Sequence, residues 1–165
     1  MIVQEWMTTE LHTVKPRDSV AHARALLEEH RINQLPVMVN RRLVGIVTDR
    51  NLRDAVNTMR VSALEALGKE APAQDPDTVT VEAVMTANVI TVRPQDTMKK
   101  AAELMRRERI GALPVLQGAA VRGILTRSDV LAAFLAPGEP GTKGKRSEAR
   151  KKPVRKPRST RRARR

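Results

Sequence analysis

Apolar and polar positions alternate along this chain in one pattern that occurs twice. Val20, Ala23, Leu26 and Leu27 are spaced as one face of a helix, and Met98, Ala101, Leu104 and Met105 repeat that spacing. The polar groups Glu28-Glu29-His30 and Arg106-Arg107-Glu108 close these two helices. Before each lies a short extended segment, Leu11 to Val14 and Val89 to Val92, which leads to a proline that keeps the preceding residue out of the helical region. Asp18 and Asp96 then stand where an N-cap is expected, because a carboxylate can accept from the free amides of a first turn. Two short apolar runs follow each helix: Leu35–Val39 with Leu43–Val47, and Leu113–Leu116 with Val121–Leu125. Asn40 and Gly118 stand between the runs, and both residue types tolerate the positive φ of a tight hairpin. A second helix is expected near Asp49–Thr58 and again near Arg127–Leu135.

The two halves are copies. Residues 6–56 align with residues 84–134 at a constant offset of 78, without a gap and with 17 of 51 positions identical. Each copy reads β-α-β-β-α, a three-stranded sheet with helices on one face, and its uncovered apolar surface needs a partner. The fold class expected is therefore α+β, with two such units packed about a pseudo-two-fold axis. The units are placed at 1–58 and 81–136. Residues 59–80 form a linker broken by Pro72 and Pro76, and residues 137–165 a disordered basic tail. Gly45 and Gly123, isolated within strands, suggest a close backbone approach at each.

Charge changes this picture at one end only. The net charge is +13, but residues 143–165 carry 13 Lys/Arg against the single acid Glu148, which leaves residues 1–142 at +1. The polyanion-binding candidates are accordingly in the tail: Lys151, Lys152, Arg155, Lys156, Arg158, Arg161, Arg162, Arg164 and Arg165. No aromatic residue interleaves with them, so contact with nucleic acid would be non-specific.

The absence of cysteine excludes thiol catalysis and disulfides and fits a reducing cytoplasm. No signal-peptide pattern and no apolar run of membrane-spanning length occurs, so a cytoplasmic, non-membrane protein is expected. His12, His22 and His30 lack ligand spacing, and no metal site is expected. No nucleophile–base arrangement and no phosphate-cradling glycine loop is present, so nothing points to an enzyme.

The motifs Pro-x-Asp-[Ser/Thr], Ile-x-x-Leu-Pro-Val and Gly-Ile-[Val/Leu]-Thr-x-x-[Asn/Asp] occur in order in both copies. Together they resemble a CBS-domain pair, or Bateman module, over about residues 1–136. The opening Met-Ile-Val and the string from Gly45 to Ala55 also resemble the N-terminal half of acetoin-utilisation B proteins, which carry a further domain where this chain has its tail. The resemblance implies a regulatory module, homodimeric, that requires no cofactor. Its central cleft would hold an adenosine-type regulatory ligand such as AMP, ADP, ATP or S-adenosylmethionine.

The ligand-binding residues so implied are Thr126 and Asp129 in the second copy and Thr48 and Asn51 in the first, with Thr13, Val14, Val37, Thr91, Val92 and Val115 beside them. Their chemistry suits the role. A carboxylate accepts from both hydroxyls of a ribose, while a threonine hydroxyl and the amides of a helix N-terminus donate to phosphate. Asn51, neutral and with one acceptor oxygen, makes the first copy's pair the weaker of the two. The alternative is that both pairs merely cap their helices. Family members that hold phosphorylated nucleotides often carry cations just before the Leu-Pro-Val element, where this chain has Asn33-Gln34 and Gly111-Ala112. Arg31, Arg50, Arg107, Arg109, Arg122 and Arg127 are the candidate substitutes, and a nucleoside or singly phosphorylated ligand is favoured over a polyphosphate. A second reading of function takes the pair as a dimerising scaffold and the tail as the binding element for nucleic acid.

Overall fold

The computed structural model describes residues 1–55 and 78–136. Each half contains a helix, an antiparallel hairpin and a second helix. The first half has α1 (Val20–His30), β1 (Gln34–Val39), β2 (Arg42–Thr48) and α2 (residues 49–55). The second has α3 (Met98–Arg107), β3 (Ala112–Gln117), β4 (Ala120–Thr126) and α4 (Arg127–Leu135). A 3-10 turn precedes each half, at Val3–Glu5 and at Val81–Ala83. Among the described residues, no helix is long and apolar enough to cross a membrane.

The caps fall one residue later than expected. Ser19 Oγ accepts from the His22 amide at 3.1 Å, and Thr97 Oγ1 accepts from the Lys100 amide at 3.2 Å. Asp18 and Asp96 instead reach back across the proline turn, accepting from the amides of Lys15 at 2.7 Å and Arg93 at 2.8 Å. A short acceptor two residues past a proline closes the turn that ends the extended segment, so the next hydroxyl is left to start the helix.

The hairpins form as their turn residues require. Asn40 and Arg41 take φ of 48° and 66°, and Gly118 takes 61°. Both hairpins carry a register shift at the same place, after Val37 in β1 and after Val115 in β3.

The third strand of each sheet is reduced to a single parallel bridge, Val14 to Val37 and Val92 to Val115, and each sheet has two strands. Proline explains this truncation. The Val14 amide donates to the Pro36 carbonyl at 3.1 Å, and the Met38 amide donates to the Val14 carbonyl at 2.8 Å. The next rung would need an amide at position 36, and proline has none. Pro114 imposes the same stop beside Val92, whose amide donates to it at 3.1 Å.

The two halves exchange their leading segments. Val3, fully buried, belongs to the core built by Val92, Met98, Leu113 and Leu125 of the second half. Val81, equally buried, belongs to the core of Val14, Val20, Leu35 and Leu52 in the first. Paired backbone bonds fix both crossings. Thr8 and Ile124 bond reciprocally at 2.9 Å, and Thr86 and Ile46 at 2.9 and 3.0 Å. Gly45 and Gly123 lie under these crossings, which accounts for their lack of a side chain. A Cβ on Gly123 would stand 2.6 Å from the Thr8 carbonyl oxygen, whereas one on Gly45 would first meet the movable side chain of Met85.

Two outcomes follow. Gly123→Ala should destabilise the protein by about 1–3 kcal/mol, the usual cost of overpacking, and Gly45→Ala by less. Urea unfolding followed through the single tryptophan, Trp6, measures both; equal midpoints would show that the Thr8 crossing yields freely. The second outcome concerns Asp96. Burial pushes its carboxyl pKa up, but the bonds from the Arg93 amide and Lys100 ammonium, together with the nearby positive charges, outweigh this and leave it lowered. A lowered folded value means stabilisation that is present above the unfolded pKa and lost as pH falls through the folded one. Asp96→Asn should therefore cost roughly 0.5–1 kcal/mol at neutral pH, with the difference from the parent vanishing in acid.

Candidate functional site

Where the Thr8 crossing meets the end of β4, the halves enclose a cleft of about 410 Å³. One wall comes from the first half: Thr8 to His12 on the leading segment, without position 9, and Arg31 to Gln34 with Pro36 at the start of the hairpin. The other comes from the second half: Gly111, Ile124 and the turn from Thr126 to Asp129. The stopped ladder at Pro36 helps shape the first wall, since residues 10–12 are not drawn into the sheet.

The geometry of the second wall is set by a capping box. The Asp129 carboxylate oxygen Oδ2 accepts from the Thr126 amide at 2.8 Å and from its hydroxyl at 2.7 Å. The Asp129 amide donates back to Thr126 Oγ1 at 3.4 Å. Among the described residues, the second carboxylate oxygen, Oδ1, takes no hydrogen bond and stays available to a ligand. Arg127 follows the cap. Its backbone amide donates to the Gly111 carbonyl and its Nε to the Ile110 carbonyl, both at 3.1 Å, which ties it to the segment between α3 and β3; Arg127 lines both the cleft and a groove shared with Arg106 and Arg109.

Arg31, the C-cap of α1 with φ of 52°, lines the first wall. On the same wall, the His12 ring stacks on His30 with centroids 3.5 Å apart. Glu10 adds an acid at the rim.

Thr48 and Asn51 build the equivalent cap at the start of α2. Asn51 Oδ1 accepts from the Thr48 amide at 3.0 Å and from its hydroxyl at 2.6 Å. Capping leaves Asp129 a second acceptor oxygen, whereas the one oxygen of Asn51 is taken by both cap bonds.

Of the ligand-binding residues expected, Thr126 and Asp129 line the cleft, while Thr48 and Asn51 do not and stand at the equivalent place in the first half. Val14, Val37, Val92 and Val115 have their side chains buried in the two cores. Thr13 and Thr91 sit beside them on the extended segments, and none of these six lines the cleft. The polyanion-binding candidates Lys151, Lys152, Arg155, Lys156, Arg158, Arg161, Arg162, Arg164 and Arg165 lie outside the described residues.

The cleft residues that were hardest to read are those of the opposite half. Thr8, Glu10, Leu11 and His12 precede the recognisable strand, and only the repeat of Met7-Thr8 at Met85-Thr86 marks the region. Asn33, Gln34 and Gly111 do line the cleft without a cation, and the cations enter from Arg31 and Arg127 instead. Of the other candidates, Arg50 pairs with Asp54, Arg107 with Glu108 and Arg122 with Gln117. Among the described residues, no group of three metal-ligating side chains stands together.

Comparison with known proteins agrees with this architecture. The model of the CBS domain matches residues 3–58 and 81–136. The inosine-5'-monophosphate dehydrogenase of Korarchaeum cryptofilum is 35% identical over 128 residues, which make up 77% of this chain but 23% of that enzyme. The solved structure of CBSX2 in complex with AMP is 32% identical, with a TM-score of 0.65 over 81% of this chain and 96% of that one. The CBS domain pair of protein MJ0100, in complex with 5'-methylthioadenosine and S-adenosyl-L-methionine, is 28% identical, with a TM-score of 0.63 over 81% and 99%. Two copies of one motif, exchanging leading segments about a shared cleft and each matched by the family model, place this chain in the CBS-domain family as a tandem pair.

Proposed function

We propose that this CBS pair is a regulatory module that binds an adenosine-type compound, AMP or a close relative, in the cleft between Thr8–Gln34 and Thr126–Asp129. The observation that carries this reading is Asp129 Oδ1, without a hydrogen-bond partner among the described residues, in a cleft that Arg31 and Arg127 also line. Asp129 Oδ1 is placed to accept from a ribose diol. Ser128, which lines the cleft, is the donor for a phosphate, and Arg31 and Arg127 bring compensating charge. The volume of about 410 Å³ lies within the range of ~300–1,000 Å³ usual for small-molecule sites. The AMP complex of CBSX2 and the 5'-methylthioadenosine complex of MJ0100 support the same ligand class. Because the cleft wall comes from both halves, an occupant ties them together, and a partner protein that reads their relative placement would respond to the ligand.

Binding and capping separate by choice of substitution at Asp129. Asp129→Asn keeps an acceptor of the kind Asn51 already uses, so melting temperature should be nearly unchanged while AMP affinity falls about tenfold or more. Asp129→Ala should lose the cap as well, at about 1 kcal/mol. Calorimetric titration with AMP and thermal unfolding of each variant measure the two effects. A failure of AMP, ADP, ATP, S-adenosylmethionine and 5'-methylthioadenosine to raise the melting temperature at millimolar concentration would refute the reading, as would undiminished AMP binding by Asp129→Asn.

A further inference from the structure

Between α3 and α4 the second half carries a groove of about 440 Å³. Its apolar lining is Met105 and Val130, both buried, with Ala102 and Leu131, and Arg106, Arg109 and Arg127 complete it. No acid lines the groove, and among the described residues the side chains of Arg106 and Arg109 have no ion-pair partner. The apolar surface continues along α4, where Leu131, Phe134 and Leu135 are 62%, 61% and 81% exposed. The first half is built differently on the corresponding face. At the offset of 78, Arg24, Glu28, Asp49 and Arg53 stand where the groove has Ala102, Arg106, Arg127 and Leu131. There the charges answer one another, Arg24 with Glu28 at 3.7 Å and Arg53 with Asp49 at 2.8 Å. The second half thus has cations in place of both acids and apolar side chains in place of both arginines.

From this pattern we infer that the α3–α4 groove docks a helix of a partner protein, one with apolar side chains on one face and carboxylates beside them. A helix laid along an apolar groove buries its own apolar face there. The three arginines fix the sign of the partner. Covering them with anything but acids would leave desolvated charge unanswered, whereas a carboxylate can take two guanidinium bonds at once. A second copy of this chain lacks that complement. In a two-fold contact of this face with itself, the arginines of one copy meet those of the other. The acids on the first-half face, Glu28 and Asp49, are already taken by Arg24 and Arg53. The tail of residues 143–165, with 13 Lys/Arg against one acid, has the wrong sign. Arg127 lines the cleft as well as the groove, so the docking face adjoins the proposed ligand site.

Fluorescence anisotropy of a labelled peptide with the full chain tests it. The probe is a helical peptide of about 15 residues, with leucines three and four apart and glutamates flanking them. A scrambled peptide of equal charge is the control. The helical peptide should bind saturably below millimolar concentration, and the scrambled one about tenfold more weakly or worse. Leu131→Glu, and separately Arg106→Gln with Arg109→Gln, should each weaken the helical peptide by about tenfold or more. All three side chains are exposed, and Trp6, packed against the second-half core, reports that the variants fold. Equal binding of the two peptides would assign the affinity to the basic tail and overturn the inference. So would binding that either variant leaves undiminished, or no binding at millimolar concentration. Sedimentation of the parent covers the remaining occupant. A dimer that Leu131→Glu splits, and that excludes the peptide, would put a second copy in the groove and overturn it as well.

Discussion

The structure depends on an exchange: each half receives the leading segment of the other. A β-α-β-β-α unit of this size has one helix-covered sheet face and cannot close its core from its own residues. Val3 and Val81 complete those cores from across the axis, and both are fully buried. Each plug is secured on one side by backbone bonds to the turn before the receiving helix. Val3 and Gln4 donate to Asp96 and Pro94, while Val81 and Glu82 donate to Asp18 and Pro16, at 2.8–2.9 Å. On the other side, Thr8 and Thr86 pair with the last strand of the receiving sheet. The family model's two matches are therefore contiguous in sequence but interleaved in space.

The cleft is a consequence of that exchange. The Thr8 segment must run across the end of β4 to reach its partner core, and the start of α4 stands beside it there. Pro36 prevents the following residues from extending the parallel ladder, so Leu11 and His12 remain at the cleft wall. The start of α4 contributes the capping carboxylate of Asp129, whose second oxygen takes no hydrogen bond among the described residues. The cap's backbone is repeated at the start of α2, where Asn51 stands in place of the carboxylate. The repeat's divergence is confined to side chains, and at the two helix starts it reverses a charge.

Much of this was legible from residue order. The offset of 78, the helical spacing of Val20 to Leu27 and Met98 to Met105, and the turn residues Asn40 and Gly118 defined the elements. The Thr-x-x-Asp pair was readable because its two residue types have few uses at a strand–helix junction. Three features were not. The caps moved to Ser19 and Thr97 because an aspartate two residues past a proline can satisfy either of two amides, and sequence does not say which. The third strand shrank to one bridge because the missing amide of Pro36 matters only once its neighbour is known. The exchange itself was hidden because Val3 and Val81 look like ordinary apolar residues, and nothing local tells a chain which copy of a repeated core to enter. The first cleft wall shared that fate, including Arg31, which lines a cleft that the second half helps to build.

The central claim is that one ligand site draws its walls from both copies through the exchanged segments. Mapping backbone amide shifts by NMR during titration with AMP tests it most directly. The account predicts that the largest changes fall together on Thr8, Leu11, His12 and Arg31–Gln34 of the first half and on Gly111 and Thr126–Asp129 of the second. Changes confined to the residues of one half, or centred on the extended segments at Thr13 and Thr91, would contradict it.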